Sequence, residues 1–262
     1  MKVIALVSAV AILMLGVGIG PVHAQQQQKP STTNTVDHAL KLTLWPTSVT
    51  ATNAGAANWT TTLLVFNYRF IQLESPWGFQ LQYGTGGQGG WGGTSSTALR
   101  GTDTIWSTDV TYRWVMDQYV LHGFAGYGSL QWETVLPGGT NRYTSSGLRV
   151  GADALVPLGQ IATDGSYWAI NAIAAWYPAN TTSFVSGGTT TTGSGSSTDV
   201  TVSVRYKLAR PASAKGPDIG YQPTAVLPSS LFDGTSWALE LGYRWISGSG
   251  WSGAFLTVGK TF

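Results

Sequence analysis

Residues 237–245 read Trp237-Ala238-Leu239-Glu240-Leu241-Gly242-Tyr243-Arg244-Trp245. Large apolar or aromatic side chains occupy every second position of this stretch, and small or charged side chains lie between them. A period of two is the spacing at which a β-strand places side chains on opposite faces. The stretch therefore predicts a strand with one apolar face and one face that carries Glu240 and Arg244.

The same alternation recurs along most of the chain. The segments that show it are 38–49, 58–71, 75–85, 104–116, 118–132, 143–157, 165–178, 198–209, 235–246 and 251–262. No helical period competes with it, and the 34 glycines disfavour helices. The pattern predicts an all-β protein, an antiparallel up-and-down β-barrel with ten strands.

The connections between these segments are of two kinds. Residues 73–75 and 116–118 predict tight turns, whereas 84–102 and 179–197 are rich in Gly, Ser and Thr and predict long loops. Short turns that alternate with long loops are typical of outer-membrane barrels. The Pro-containing connection 210–234 is long where this layout expects a short turn, so eight or twelve strands remain open.

The composition favours a barrel that turns its apolar face outward to lipid. Charged residues make up 10% of the chain, whereas a soluble domain carries about 25%. A soluble barrel would expose the polar face, and that face is too poorly charged to be a typical water-exposed surface. A membrane barrel instead places such side chains in its lumen.

Tryptophans recur in pairs that are eight residues apart: Trp106 and Trp114, Trp168 and Trp176, and Trp237 and Trp245. Eight residues keep both rings on one face and span about 26 Å of strand. On a strand tilted by about 40° this is about 20 Å along the membrane normal, close to the ~25 Å apolar band of such barrels. The spacing predicts six membrane-interface aromatics, although coincidence in a Trp-rich chain is the alternative.

The N-terminus has the pattern of an export signal. Lys2 precedes an apolar run over residues 3–20, and Val22-His23-Ala24 fits a cleavage site with small residues. We expect a cleaved signal peptide over 1–24, a flexible segment over 25–36 and a barrel over 37–262. An uncleaved anchor helix is the alternative.

The C-terminus carries a resemblance to a known family. The chain ends in Phe262, with Val258, Leu256 and Ala254 alternating before it. In this respect it resembles bacterial outer-membrane β-barrel proteins, although Lys260 stands where they usually have an apolar residue. The resemblance implies a Gram-negative-type outer membrane, contact with its lipid and lipopolysaccharide, and assembly by the barrel-assembly machinery, which reads Phe262. A superfamily of this kind hosts many functions.

If the apolar face meets lipid, the ionisable residues of the other face line the lumen. Apart from one histidine they comprise seven basic and three acidic side chains: Lys41, Arg69, Asp109, Arg113, His122, Arg149, Asp153, Arg205, Lys207, Glu240 and Arg244. Two interpretations stay open. The residues form either a salt-bridge network that fills a narrow barrel or a charged constriction in a pore that favours anions.

The leading functional hypothesis is a small passive channel, or porin, for small polar or anionic solutes. The alternative is a closed structural or surface-interaction barrel, and a membrane hydrolase is a weaker third. Only His38 and His122 follow the signal segment, and neither is adjacent to a serine. We therefore predict no enzyme activity, catalytic residue, metal site or cofactor. A formal charge of +2 without a basic run argues against nucleic acid as a partner.

Overall fold

The computed structural model describes residues 36–51, 57–72, 75–88, 100–115, 120–136, 139–159, 162, 166–208, 236–248 and 250–261. The predicted signal peptide, residues 25–35, the connection 210–234 and Phe262 lie outside these residues. No helix in the described part of the chain is long and apolar enough to cross a membrane.

Ten antiparallel strands form a closed barrel. Each strand pairs with its neighbours in sequence, and the first and last strands pair with each other, for example through Leu42 and Val258. The strands are β1 Val36–Ala51, β2 Ala57–Gln72, β3 Trp77–Gly87, β4 Arg100–Val115, β5 Val120–Leu136, β6 Gly139–Leu158, β7 Tyr167–Ser186, β8 Thr189–Lys207, β9 Ser236–Ile246 and β10 Trp251–Thr261. This confirms the predicted all-β, ten-strand, up-and-down barrel.

The segment 179–197 differs from its prediction as a long loop. β7 and β8 pair as far as Ser186 and Thr189, and only Gly187 and Gly188 form the turn between them. Their φ angles of 54° and 81° are the positive values that a two-residue hairpin turn needs. Both faces of β8 from Thr189 to Ser196 are exposed, so the strand lacks the apolar alternation that identifies a half-buried strand in sequence.

The predicted loop 84–102 is also shorter than expected at both ends. β3 continues to Gly87 and β4 begins at Arg100, and these ends pair through Gly87 and Thr102. Glycine and threonine supply no apolar face in this stretch, which is why the alternation did not extend the strands. Residues 89–99 lie outside the described part of the chain.

The distribution of apolar side chains reverses along the strands. We call the part of the barrel near the start of β1 and the end of β10 the lower section, and the part near the β1–β2 connection the upper section. On β2 in the lower section, Phe66 is exposed on the outside and Arg69 lies inside. Higher on the same strand, Trp59 and Leu63 are buried inside, with 2% and 0% exposure.

An apolar belt surrounds the lower section. Its outward side chains are largely aliphatic or aromatic, and examples from different strands include Leu42, Leu64, Leu81, Val110, Val150, Ile170, Val204, Leu241 and Val258. Aromatic side chains cluster at the two edges of the belt, such as Trp77, Tyr112 and Trp114 below and Trp106 and Tyr127 above. A continuous apolar surface of this kind is what a membrane-spanning barrel turns to lipid.

Candidate functional site: the barrel interior

Strand periodicity places the predicted lumen residues inside the barrel. All eleven alternate along their strands with outward side chains of the belt. Seven are buried: Asp109, His122, Arg149, Asp153, Lys207, Glu240 and Arg244. Four are half-buried: Lys41, Arg69, Arg113 and Arg205.

One ion pair crosses the interior of the lower section. Nη2 of Arg69 on β2 lies 2.5 Å from Oδ2 of Asp153 on β6. Three strands separate β2 from β6 along the shorter path around the barrel, so this contact joins nearly opposite walls. Arg69 also donates to Oε1 of Gln80, at 2.8 Å from Nη2 and 3.3 Å from Nε.

A polar chain continues from Gln80 to the far wall. Gln80 Nε2 donates to Oδ2 of Asp109 at 2.8 Å, and Arg149 Nε lies 3.1 Å from Oδ1 of Asp109. Arg149 also donates from Nη1 to the Tyr177 hydroxyl at 3.2 Å and stacks over the ring of Phe124 at 4.9 Å. Because each charge has an opposite charge or a hydrogen-bond partner, their burial is compensated.

Two inward glycines of β5 make room for this chain. A Cβ at Gly126 would lie 2.6 Å from Oδ1 of Asp109, and a Cβ at Gly128 would lie 2.9 Å from the Tyr177 hydroxyl oxygen. Real Cβ atoms do not approach so closely. The ion pair of Asp109 and Arg149 therefore depends on the absence of side chains on the strand beside it.

Two further groups of charges occupy β1, β8 and β9. Lys41 Nζ donates to Oε1 of Glu240 at 2.8 Å, and Arg205 Nε lies 3.6 Å from the same oxygen. Arg244 binds both carboxylate oxygens of Asp199, from Nε at 2.9 Å and from Nη2 at 2.6 Å. Such a bidentate pair is the strongest geometry that arginine and a carboxylate adopt.

Arg244 also links the charged interior to the upper section. Its Nη2 donates to Oε1 of Gln82 on β3 at 3.1 Å, and three strands separate β3 from β9 along the shorter path around the barrel. Its guanidinium lies 4.9 Å from the ring centroid of Trp45. The sequence repeats a Tyr-Arg-aromatic triplet in Tyr68-Arg69-Phe70 and Tyr243-Arg244-Trp245, and the two arginines lie in different environments because Arg69 is at the lower level.

Sequence reasoning missed two buried acids, Asp103 and Asp199. Asp103 is 0% exposed and accepts hydrogen bonds from Trp59 Nε1 and Gln88 Nε2, both at 3.2 Å. Asp103 directly follows the predicted loop 84–102. Asp199 lies on the same inward face of β8 as Arg205, and this alternation is the signal that could have identified it. The inward charges named here are therefore seven basic and five acidic residues, which weakens the argument for anion preference.

An apolar group that the sequence did not reveal packs inside the upper section. We call it the upper cluster: Trp45, Val49, Trp59, Leu63, Val65, Ile105, Leu130, Trp132, Tyr143, Ile246, Trp251 and Phe255. Its four tryptophans are at most 2% exposed. Trp59 packs edge-on against Trp132 with ring centroids 5.3 Å apart, and Trp45 lies 6.1 Å from Trp251.

The six tryptophans predicted for the membrane interface face outward. Trp106, Trp114, Trp168, Trp176 and Trp237 are between 37% and 53% exposed, and Trp245 is partly buried. Each pair spans the belt from one edge to the other, as the eight-residue spacing requires. Their position at a membrane interface stays a prediction.

The two histidines in the described part of the chain, His38 and His122, do not form a recognisable catalytic or metal site. His38 lies on the outer face, where Nδ1 is 2.7 Å from the Tyr68 hydroxyl oxygen. His122 is buried, and its neighbours across the strands are Arg113 and Asp153, neither of which is a usual nucleophile for hydrolysis. Among the described residues, no group of three or more His, Cys, Asp or Glu could hold a metal ion.

The barrel is similar in overall shape to solved outer-membrane proteins. The translocator domain of the autotransporter NalP from Neisseria meningitidis is 10% identical with a TM-score of 0.46, over 88% of this chain and 89% of that one. The β-domain of the Bordetella autotransporter BrkA is 12% identical with a TM-score of 0.46, over 87% and 99%. The outer-membrane protease OmpT from Escherichia coli is 7% identical with a TM-score of 0.41, over 90% and 98%.

No protein-family model matches the chain, and no curated protein matches its sequence. The structural likenesses have TM-scores below 0.5. The closed ten-strand barrel is therefore established by the strand pairing within this chain.

Proposed function

We propose that the protein is an outer-membrane β-barrel that is closed to passive diffusion and serves as a surface-exposed structural or interaction protein. The observation that carries this proposal is an interior crossed at two levels. Arg69 and Asp153 bridge opposite walls of the lower section, and four buried tryptophans pack inside the upper section.

Each level opposes the passage of a solute for a different physical reason. In the lower section, a solute would have to displace the ion pair of the half-buried Arg69 and the buried Asp153, and an uncompensated charge in a protein interior is costly. In the upper section, polar solutes and ions would have to pass the packed side chains of the upper cluster, most of which offer no hydrogen-bond partners. The two barriers lie in series along the barrel axis.

The charges of the interior are poorly suited to selecting a solute. Asp109, Asp153, Asp199 and Glu240 each lie beside a basic side chain. A selective pore needs charges that interact with the permeating ion rather than with each other. The salt-bridge interpretation of the predicted lumen residues is therefore favoured over the charged constriction, and the closed barrel over the porin.

The upper section would be the part that faces the outside of the cell. In this orientation the start of β1 and the end of β10 lie toward the periplasm and the β7–β8 hairpin projects outward. The part of β8 that belongs to this hairpin, from Thr189 to Ser196, is exposed and uncharged. Outer-membrane lipid and lipopolysaccharide would contact the apolar belt, and the barrel-assembly machinery would insert the chain.

Conductance in planar bilayers tests closure. Purified full-length protein reconstituted in the bilayer should give no conductance above the lipid background in about 1 M KCl. At this salt concentration, about 1 M, the Debye length is about 3 Å, so electrostatic barriers to ions are largely screened. Liposomes that contain the protein should not swell in isotonic arabinose. Stable ohmic steps together with swelling would overturn the closed barrel in favour of the porin.

Surface labelling tests location and orientation independently. An epitope inserted between Gly187 and Gly188 should be accessible to antibody on intact cells, because both residues are exposed in the hairpin turn. An epitope inserted after Pro76, in the turn that leads into β3 at the lower end, should react only after permeabilisation. Equal reactivity of both epitopes, or the reverse order, would contradict the proposed topology.

A further inference from the structure

A cavity of about 200 Å³ opens into the upper section, bordered by β4 to β9. Its apolar lining residues include Ile105, Leu130, Tyr143 and Ile246. Its polar lining residues are uncharged and include Ser145, Asn180, Thr182, Ser197 and Ser247. A concave site with an apolar lining and a few polar groups is the usual form of a small-molecule site.

The cavity has an opening where β8 separates from β9. These strands pair from Asp199 and Ile246 downward, and just above that level the backbone N–H of Ser247 donates to the carbonyl oxygen of Thr198 at 2.8 Å. The exposed residues of the lining are Gly195, Ser196 and Gly248. The cavity is therefore reached between the base of the β7–β8 hairpin and the β9–β10 turn.

The lining selects for an uncharged molecule. Among the described residues, the lining contains no ionised side chain, and the nearby guanidinium groups of Arg149 and Arg244 are already paired with Asp109 and Asp199. A charged ligand would lose its hydration without a compensating opposite charge. An amphipathic neutral molecule would match both the apolar and the polar lining residues.

Asn180 supplies a hydrogen-bonding group for such a molecule. The residue is 5% exposed, and its Nδ2 donates to the Ser197 hydroxyl at 2.6 Å. Its Oδ1 has no hydrogen-bond partner within the described part of the chain. A buried acceptor without a partner costs free energy. In this conformation Oδ1 has almost no accessible surface, so a ligand hydroxyl would donate to it only after the Asn180 amide rotates toward the cavity, and this contact would remove the cost.

We propose that this cavity binds a small neutral ring compound that carries a hydroxyl group, of which phenol is the simplest. An apolar cavity of about 150 Å³ accommodates benzene, so this cavity has room for a substituted ring. The ring would pack against Leu130, Tyr143 and Ile246, and the hydroxyl would donate to Asn180. The site does not depend on whether the barrel conducts.

Calorimetric titration of phenol into the full-length protein in nanodiscs tests the proposal. We expect saturable binding that Gly195→Phe weakens at least tenfold, because an inward Cβ at Gly195 has no atom within 4 Å and the ring would occupy the opening. The matched control is Ser194→Phe, which adds the same ring to the exposed outer face and should change the affinity less than twofold. Benzoate should show no saturable binding. Equal phenol affinity in all three proteins, or only non-saturable uptake into lipid, would overturn the site.

A second variant separates the ring from the hydroxyl and serves if Gly195→Phe does not fold. Asn180→Leu should weaken phenol binding at least fivefold while it leaves toluene binding within twofold, because toluene makes no hydrogen bond. Parallel loss of both ligands, or no loss of either, would contradict the role of Asn180. Conductance of the same preparations reports on closure separately, so failure of one proposal does not imply failure of the other.

Discussion

The lower and upper sections of the barrel are built from the same strands but distribute their apolar side chains in opposite ways. On β1, Leu42 is exposed and Lys41 lies inside in the lower section, whereas Ser48 is exposed and Trp45 is buried in the upper section. The lower section is apolar outside and charged inside. The upper section has a Ser- and Thr-rich exterior and a tryptophan-rich interior.

This difference indicates that each section matches a different solvent. In lipid there is no gain from burying apolar side chains between strands, so the interior is free to hold polar groups that bond to one another. In water the hydrophobic effect again favours an apolar interior. The level at which the pattern reverses on β1, between Leu44 and Ser48, therefore marks the expected outer surface of the membrane.

The largest expected effect comes from removing a ring of the upper cluster. Trp59→Ala should destabilise the protein by about 3–5 kcal/mol, because it leaves a cavity in a packed interior and removes a hydrogen bond to Asp103. Trp176→Ala, which removes the same ring from the exposed belt, should cost less than half as much. Equilibrium unfolding in guanidinium with vesicle-reconstituted protein measures both, and equal losses would contradict a packed upper interior.

An ion-pair comparison between the two sections should give an effect of nearly the same size. Asp153→Ala leaves Arg69 without its carboxylate partner inside the lower section, and loss of one partner of a buried pair costs about 3–5 kcal/mol. Glu133 and Arg142 form a pair on the outer face of the upper section. Glu133→Ala should cost less than about 1 kcal/mol, as is typical of exposed pairs.

The salt dependence of these two variants provides a further check. Raising the salt concentration should reduce the small effect of Glu133→Ala, since exposed charges are screened. The effect of Asp153→Ala should change little, because ions do not readily enter the interior. Similar effects of both variants on unfolding would show that the inner pair is as well solvated as the outer one.

A charge on the outside of the lower section should destabilise the protein more than a charge on the outside of the upper section. Leu241 is 64% exposed in the belt, and Leu241→Arg should cost about 2–4 kcal/mol if this position lies near the bilayer midplane. Ser48→Arg on the outside of the upper section should cost less than about 0.5 kcal/mol, as surface substitutions usually do. The same unfolding assay compares them, and equal costs would place the membrane boundary elsewhere.

The smallest expected effect concerns the β7–β8 hairpin. Gly187→Ala should cost about 1–2 kcal/mol, because an alanine is strained at positive φ. Gly187→Asn should cost less, since asparagine tolerates this conformation in hairpin turns. Amide hydrogen exchange should show faster exchange in residues 180–195 of the alanine variant and unchanged exchange in the lower section.

Much of the fold could be predicted from sequence, and the interior only in part. The period-two alternation predicted ten strands and the inward face of Arg69, Asp153 and Glu240. It did not predict that β7 and β8 continue to Gly187, because a strand with both faces in water has no apolar alternation. It also did not predict that the tryptophans of the upper cluster point inward, because alternation shows which side chains share a face but not which face is shielded from water.

The sequence by itself determined which side chains share a face of a strand, since that follows from local backbone geometry. Only the tertiary structure decided which of them meet. Arg69 and Asp153 are 84 residues apart in the chain, and they come together because closure of the barrel places β2 opposite β6. The same closure buries Trp59 against Trp132, so the interior is filled by contacts between strands that no local pattern records.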